Sequence, residues 1–138
     1  MADSYRDLVV WQRSVQLSVA LYHATAAFPR EEVYGLTSQL RRPGVSVASN
    51  IAEGWGRQSE GVFKHFLGTA RGSNMEVQTQ LVVASELGFG EDAKRKLAES
   101  LSHEVGKMLV SLMNKVHVKT SEATATLTGI CSLLTVRW

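Results

Sequence analysis

Apolar residues recur at intervals of three or four along most of this chain, which is the signature of helices with one buried face. Leu8, Trp11, Val15, Val19 and Tyr22 share a face, and Leu17, Ala20, Leu21 and Ala24 form a second strip beside it. The spacing predicts a first helix over about residues 3–27, with an apolar sector wider than one amphipathic helix needs. Pro29 ends it by pushing Phe28 out of the α region. A second helix is expected from Glu31-Glu32, where two acids suit the positive end of the helix dipole. Leu36, Leu40, Val47 and Ile51 mark its buried face, Pro43-Gly44 should bend or split it, and Gly54-Trp55-Gly56 reads as its stop.

Ser59 is a plausible N-cap for a third helix, with Phe63, Phe66 or Leu67, Ala70, Val77, Leu81 and Ala84 as its stripe. Gly68, Gly72 and Ser73 fall inside it. A mid-helix glycine costs about 1 kcal/mol relative to alanine, and close approach of a neighbouring helix is the natural compensation. After the turn Leu87-Gly88-Phe89-Gly90, a fourth helix extends from Glu91 to about His117. Leu97, Leu101, Val105, Met108, Leu112 and Val116 form its stripe, while Lys94, Arg95, Lys96, Glu99 and Glu104 fall on a solvated face.

Four long helices with short connections define an all-α fold, an antiparallel up-down-up-down four-helix bundle over residues 1–118, with the second helix bent near Pro43. Residues 119–128 are rich in Thr, Ser and Ala and read as a linker. Residues 129–138 are apolar again but too short for a domain, so 119–138 is a C-terminal tail. The second strip on the first helix, with Met75 and Val82 off the main stripe of the third, exceeds what one core can take. Surplus apolar surface of this kind points to an interface between copies.

Composition narrows the function. The chain has 138 residues, 44% hydrophobic and 20% charged, with a net charge of +2. The charges are spread evenly enough that nucleic-acid binding needs a local patch, not the overall balance. A single cysteine, Cys131, excludes a disulfide framework and a Cys-based zinc site. No apolar run approaches the roughly 20 residues of a membrane span, and no signal core is evident near the N-terminus, so a cytoplasmic location is expected.

Candidate chemistry is sparse. None of His23, His65, His103 and His117 has a Glu three residues before it, as carboxylate-bridged di-iron bundles require. No metal or cofactor is expected. Nucleophile elbows and phosphate loops are also absent. Glu53, Glu76 and His65 are the only weak candidates for acid–base work, and the chain is not expected to be an enzyme.

A polar stripe is more informative. Gln39, Arg42, Ser46, Asn50, Glu53 and Arg57 recur along one side of the second helix, and His65, Thr69, Ser73, Glu76 and Gln80 along the third. A structural network of Gln39, Ser46, Asn50, Glu53, Ser73 and Glu76, with Arg42 paired to a carboxylate, is one reading. A solvated face is another. A nucleic-acid contact through Arg41, Arg42, Arg57, Lys64 and Arg71 is a third, since arginine suits phosphate. Trp11 fits the core, whereas Trp55, between glycines, is the better candidate for an exposed interaction surface.

Several runs together resemble a known family: Asp7-Leu8-Val9-Val10-Trp11-Gln12, Phe28-Pro29-Arg30-Glu31-Glu32, and Tyr34-Gly35-Leu36-Thr37-Ser38-Gln39-Leu40-Arg41-Arg42. The most specific is Val45-Ser46-Val47-Ala48-Ser49-Asn50-Ile51-Ala52-Glu53-Gly54, followed by Phe63, Phe66, Leu67 and Ala70-Arg71-Gly72-Ser73. Over about residues 5–115 the chain resembles the bacterial proteins encoded within 23S rRNA intervening sequences. That family is similar in turn to the accessory variability protein of diversity-generating retroelements. Two departures stand out, Pro43-Gly44 where small non-proline residues are usual and Ala48 where proline is common. The resemblance implies a four-helix protomer, a homopentameric ring, association with RNA or DNA, and no catalysis. The expected role is therefore a non-enzymatic, homo-oligomeric RNA-associated scaffold, with a protein-interaction adaptor as the alternative and no membrane partner.

Overall fold

The computed structural model describes residues 2–116. Its elements, in order, are a 3-10 turn Tyr5–Asp7, α1 (Val9–Thr25), a 3-10 turn Arg30–Glu32, α2 (Leu36–Gly56), α3 (Glu60–Leu87) and α4 (Asp92–Lys115). Each helix packs on its neighbours in sequence, α4 closes the ring against α1, and the diagonal pairs do not touch. This is the up-down-up-down arrangement that short connections between long helices enforce. The expected C-terminal tail, 119–138, lies outside the described residues.

The core is a single column of aliphatic side chains. Leu17 and Leu21 come from α1, Leu40, Val47 and Ile51 from α2, Leu67 and Val77 from α3, and Val105 and Leu109 from α4; all are fully buried. Each such side chain contributes about 1.5–3 kcal/mol by leaving water. The expectation for α1 is inverted in one respect. The strip Leu17, Ala20, Leu21, Ala24 faces the core, while Val19 and Tyr22 of the other strip face outward, 51% and 47% exposed. Both strips satisfy the helical period, and only the position of α4 decides which one is covered. On α4, Leu97 is likewise exposed, whereas Arg95 is buried and not on the solvated face.

Helix boundaries follow from capping. The Ser4 side chain accepts from the Arg6 N–H, and Asp7 accepts from the Ser4 N–H, so a capping box closes a separate turn. Leu8 is then extended, and α1 begins at Val9 and not at Asp3. Glu31 and Glu32 form a 3-10 turn ahead of α2, and Glu32 caps that helix from outside by accepting the Leu36 N–H at 2.9 Å. At the other end of the bundle, Gly88 ends α3 in the left-handed conformation. Arg95 reaches back to donate to the carbonyls of Phe89 and Gly90, and Phe89 packs on buried Phe28 with ring centroids 5.8 Å apart. Asp92 in the first turn of α4 is held below its usual pKa by a hydrogen bond from Lys96, on an exposed face.

Helix α2 runs unbroken through Pro43, so the proline does not split it. Pro43 leaves the Gln39 carbonyl without its helical donor. The helix ends at Gly56, inside the expected Gly54-Trp55-Gly56 stop, and two of its glycines also serve packing. A β-carbon on Gly44 would lie 2.5 Å from Leu21 Cδ1, and one on Gly54 would lie 2.5 Å from Phe66 Cβ and 3.2 Å from Phe63 Cδ1. Gly54 is therefore a contact point between α2 and α3 inside the helix, and α2 continues to Gly56. The chain turns at Gln58, whose φ of 55° is left-handed.

Two stability outcomes follow. Gly54→Ala is expected to lower stability by about 1–3 kcal/mol, because the methyl cannot enter without moving α3; urea unfolding checks this. Gln58→Gly is expected to raise it by about 0.5–1 kcal/mol by removing a side chain from a left-handed position. A lower unfolding midpoint for Gln58→Gly would refute the second.

Candidate functional site

The two predicted polar stripes meet along the seam between α2 and α3. Ser46 and Ser73 hydroxyls lie 3.0 Å apart, and Asn50 Nδ2 donates to both the carbonyl and the hydroxyl of Ser46 at 2.8 Å. The seam is partly buried, so these bonds are shielded from water on one side. It opens outward into a shallow groove of about 470 Å³ lined by Gln39, Arg42, Pro43, Ser46, Ser73, Glu76 and Gln80. The side-chain Oε1 of Gln80 is buried without a hydrogen-bond partner among the described residues.

The network is thus smaller than the sequence suggests. Ser46, Asn50 and Ser73 form it. Gln39 and Glu76 line the groove without entering the hydrogen bonds. Glu53 turns away to pair with Arg57 at 3.0 Å, four residues on, on an exposed surface. Arg42, expected to pair with a carboxylate, makes no ion pair among the described residues. The reason is helical phase: Arg42 lies farther round α2 than Ser46, toward solvent.

The five basic candidates occupy four settings on one protomer. Arg41 is held against α1, its Nε donating to Thr25 Oγ1 at 2.8 Å and its guanidinium 4.4 Å above the Tyr22 ring. Arg42 lines the polar groove, and Arg57 sits beside Glu53 and the Phe66 ring. Lys64 and Arg71 line a different groove, between α3 and α4. They do not share one surface within a protomer.

Glu53, Glu76 and His65 do not share a cavity. Glu76 lines the α2–α3 groove, His65 the α3–α4 groove, and Glu53 neither. Among the described residues no three His, Cys, Asp or Glu side chains are grouped so as to hold a metal. Among the described residues no helix is long and apolar enough to cross a membrane. Trp55, expected to be exposed, is partly covered, with the Tyr5 ring 6.4 Å away in an edge contact; Tyr5 also meets Trp11 at 5.1 Å.

One pair escaped the sequence reading. Asn74 and Ser102, both fully buried, join α3 to α4: Asn74 Nδ2 donates to the Ser102 carbonyl at 2.9 Å, and the Ser102 hydroxyl donates to Asn74 Oδ1 at 2.7 Å. Gly106 makes room, since a β-carbon there would stand 3.2 Å from Asn74 Nδ2. The signal was present. Asn74 falls between Ala70 and Val77 on the buried stripe, and Ser102 between Ala98 and Val105. A polar residue at a core position fixes helix register when it is fully hydrogen-bonded.

The fold and its polar seam can now be set beside known proteins. The model of the 23S rRNA-intervening sequence protein family matches residues 6–111, most of the chain. The chain belongs to the 23S rRNA-intervening sequence protein family. A solved structure from Bacteroides thetaiotaomicron, described as a protein of unknown function from the S23 ribosomal protein family, matches with a TM-score of 0.68. It is 22% identical and covers 76% of this chain and 98% of that one, a likeness of fold. No curated protein matches. The intervening-sequence match covers the polar seam, the α2–α3 groove and all five basic candidates, and stops short of Met113 and Asn114 in the α3–α4 groove; it does not extend to the retroelement proteins.

Replacing Asn74 with Ala should leave a buried Ser102 hydroxyl unpaired and cost about 1–3 kcal/mol. Asn50→Ala should cost less, about 1 kcal/mol, because Ser46 and Ser73 remain paired. Thermal unfolding monitored by helical circular dichroism orders the two variants; the reverse order would contradict the burial difference.

Proposed function

We propose that this protein is a non-enzymatic, cytoplasmic scaffold that assembles into a closed homo-oligomer, a pentamer by resemblance to its family, and holds RNA. The observation that carries the reading is the outward apolar strip where α1 meets α2. Val19 and Tyr22 on α1 stand beside Val45 on α2, which is 44% exposed, and Val15 and Ala48 continue the strip half-buried. A second copy covers such a strip at little cost, and closed symmetry covers it on every copy.

Assembly also answers the dispersion of the cations. Arg42, Arg57 and the pair Lys64 and Arg71 lie in separate settings on one protomer, but a ring repeats each of them around its circumference. RNA spanning several copies then meets many cations at once, and weak contacts add as avidity. The family's description as a 23S rRNA-intervening sequence protein supports RNA as the nucleic acid. The adaptor alternative leans on Trp55, which packs against Tyr5, and on the tail, so the scaffold is preferred.

Light scattering with and without a structured RNA, across a salt series, tests both halves. The expected mass is a multiple of 15.1 kDa, shifted to a single protomer by Val19→Glu with helical content unchanged. Binding is expected to weaken steeply with salt, and Arg42→Ala with Lys64→Ala to reduce the slope. A wild-type protein of one-protomer mass at micromolar concentration defeats the assembly half. Binding absent at low salt, or indifferent to the double substitution, defeats the RNA half.

A further inference from the structure

Helices α3 and α4 leave an open groove of about 720 Å³ near the end of the bundle where α4 finishes. It is lined by two glycines that no described residue packs closely against. A β-carbon on Gly72 would meet nothing within 4 Å, and one on Gly68 only the Met113 Cε at 3.9 Å. The expected close approach of a neighbouring helix is therefore not made here within the described residues, although each glycine weakens α3 by about 1 kcal/mol. Met75, Val110 and Met113 give the groove apolar walls, and Met75 is 41% exposed. Methionine walls adapt to an irregular occupant.

The chain supplies a candidate occupant at the right place. Met113 and Asn114 line the groove, and α4 ends at Lys115, one residue later. The sequence then continues with residues 117–128, rich in Thr, Ser and Ala, and with Ile130, Leu133, Leu134, Val136 and Trp138. Twelve linking residues reach up to about 40 Å. The stretch of α3 from Lys64 to Met75 is only about 16 Å long, at 1.5 Å per residue. The apolar segment can therefore lie along the groove in either direction. Tethering holds it there at an effective concentration in the millimolar range, so a weak intrinsic affinity suffices.

We propose that residues 129–138 dock in the α3–α4 groove of their own protomer, their aliphatic side chains filling the space above Gly68 and Gly72. This does not rest on the RNA-scaffold reading. The single native cysteine, Cys131, reports on it directly.

In the full chain, Gly72→Cys places a thiol in the groove, and Ser111→Cys places one on the exposed side of α4, equally near the chain's departure point. Under mild oxidation the disulfide to Cys131 is expected to form at least tenfold faster in Gly72→Cys, as an intramolecular product identified by peptide mapping. In a second variant, Gly68→Leu with Gly72→Leu fills the groove, and maleimide labelling of Cys131 is expected to accelerate several-fold. Equal cross-linking from the two positions, a product linking two chains only, or unchanged labelling in the filled variant overturns the proposal.

Discussion

How close α2 lies to its two neighbours governs most of what this bundle displays. Gly44 lets Leu21 of α1 reach the α2 backbone, and Gly54 admits Phe66 and Phe63 of α3. Between these two points the α2–α3 separation is small enough for two of the shortest polar side chains, Ser46 and Ser73, to touch. A larger residue at Gly54 would push the helices apart and break a hydrogen bond that no longer side chain could remake at the same place. The polar seam is thus a consequence of backbone proximity, and backbone proximity is a consequence of missing side chains.

The same economy of space explains where apolar surface is left over. Four helices arranged as a ring cover one sector each, and α1 carries two. The sector shared with α4 and the core is filled, whereas Val19, Tyr22 and Val45 face water. The bundle has a second such region between α3 and α4, where two glycines and two methionines frame a trough. The first is a strip of exposed side chains along two helices, and the second is a groove.

Polar groups inside the bundle have a different role from those at its edge. Asn74 and Ser102 exchange two hydrogen bonds and tie α3 to α4. Arg95 is buried with its charge spread over two carbonyls and Asp92, closing the turn that joins those helices. By contrast, the pair Glu53–Arg57 is exposed and contributes little, as surface ion pairs do. The protomer keeps its strongest polar contacts for geometry and leaves Arg42 and Lys64 exposed or half-exposed at its grooves.

Helical periodicity, read along the chain, was enough to establish four helices, their order, most of the core and the two polar stripes, one holding Ser46 and Asn50 and the other Ser73. Those properties depend on residues a few positions apart, which the helix brings together whatever surrounds it. The tertiary structure alone decided which of two apolar strips on α1 is buried, that Gly54 is also a contact point for α3, that Arg95 turns inward, and that the five cations do not line one groove. Each of these depends on where a different helix lies. A helix repeats every 3.6 residues and records its own faces, but it carries no local mark of which face a distant helix will cover.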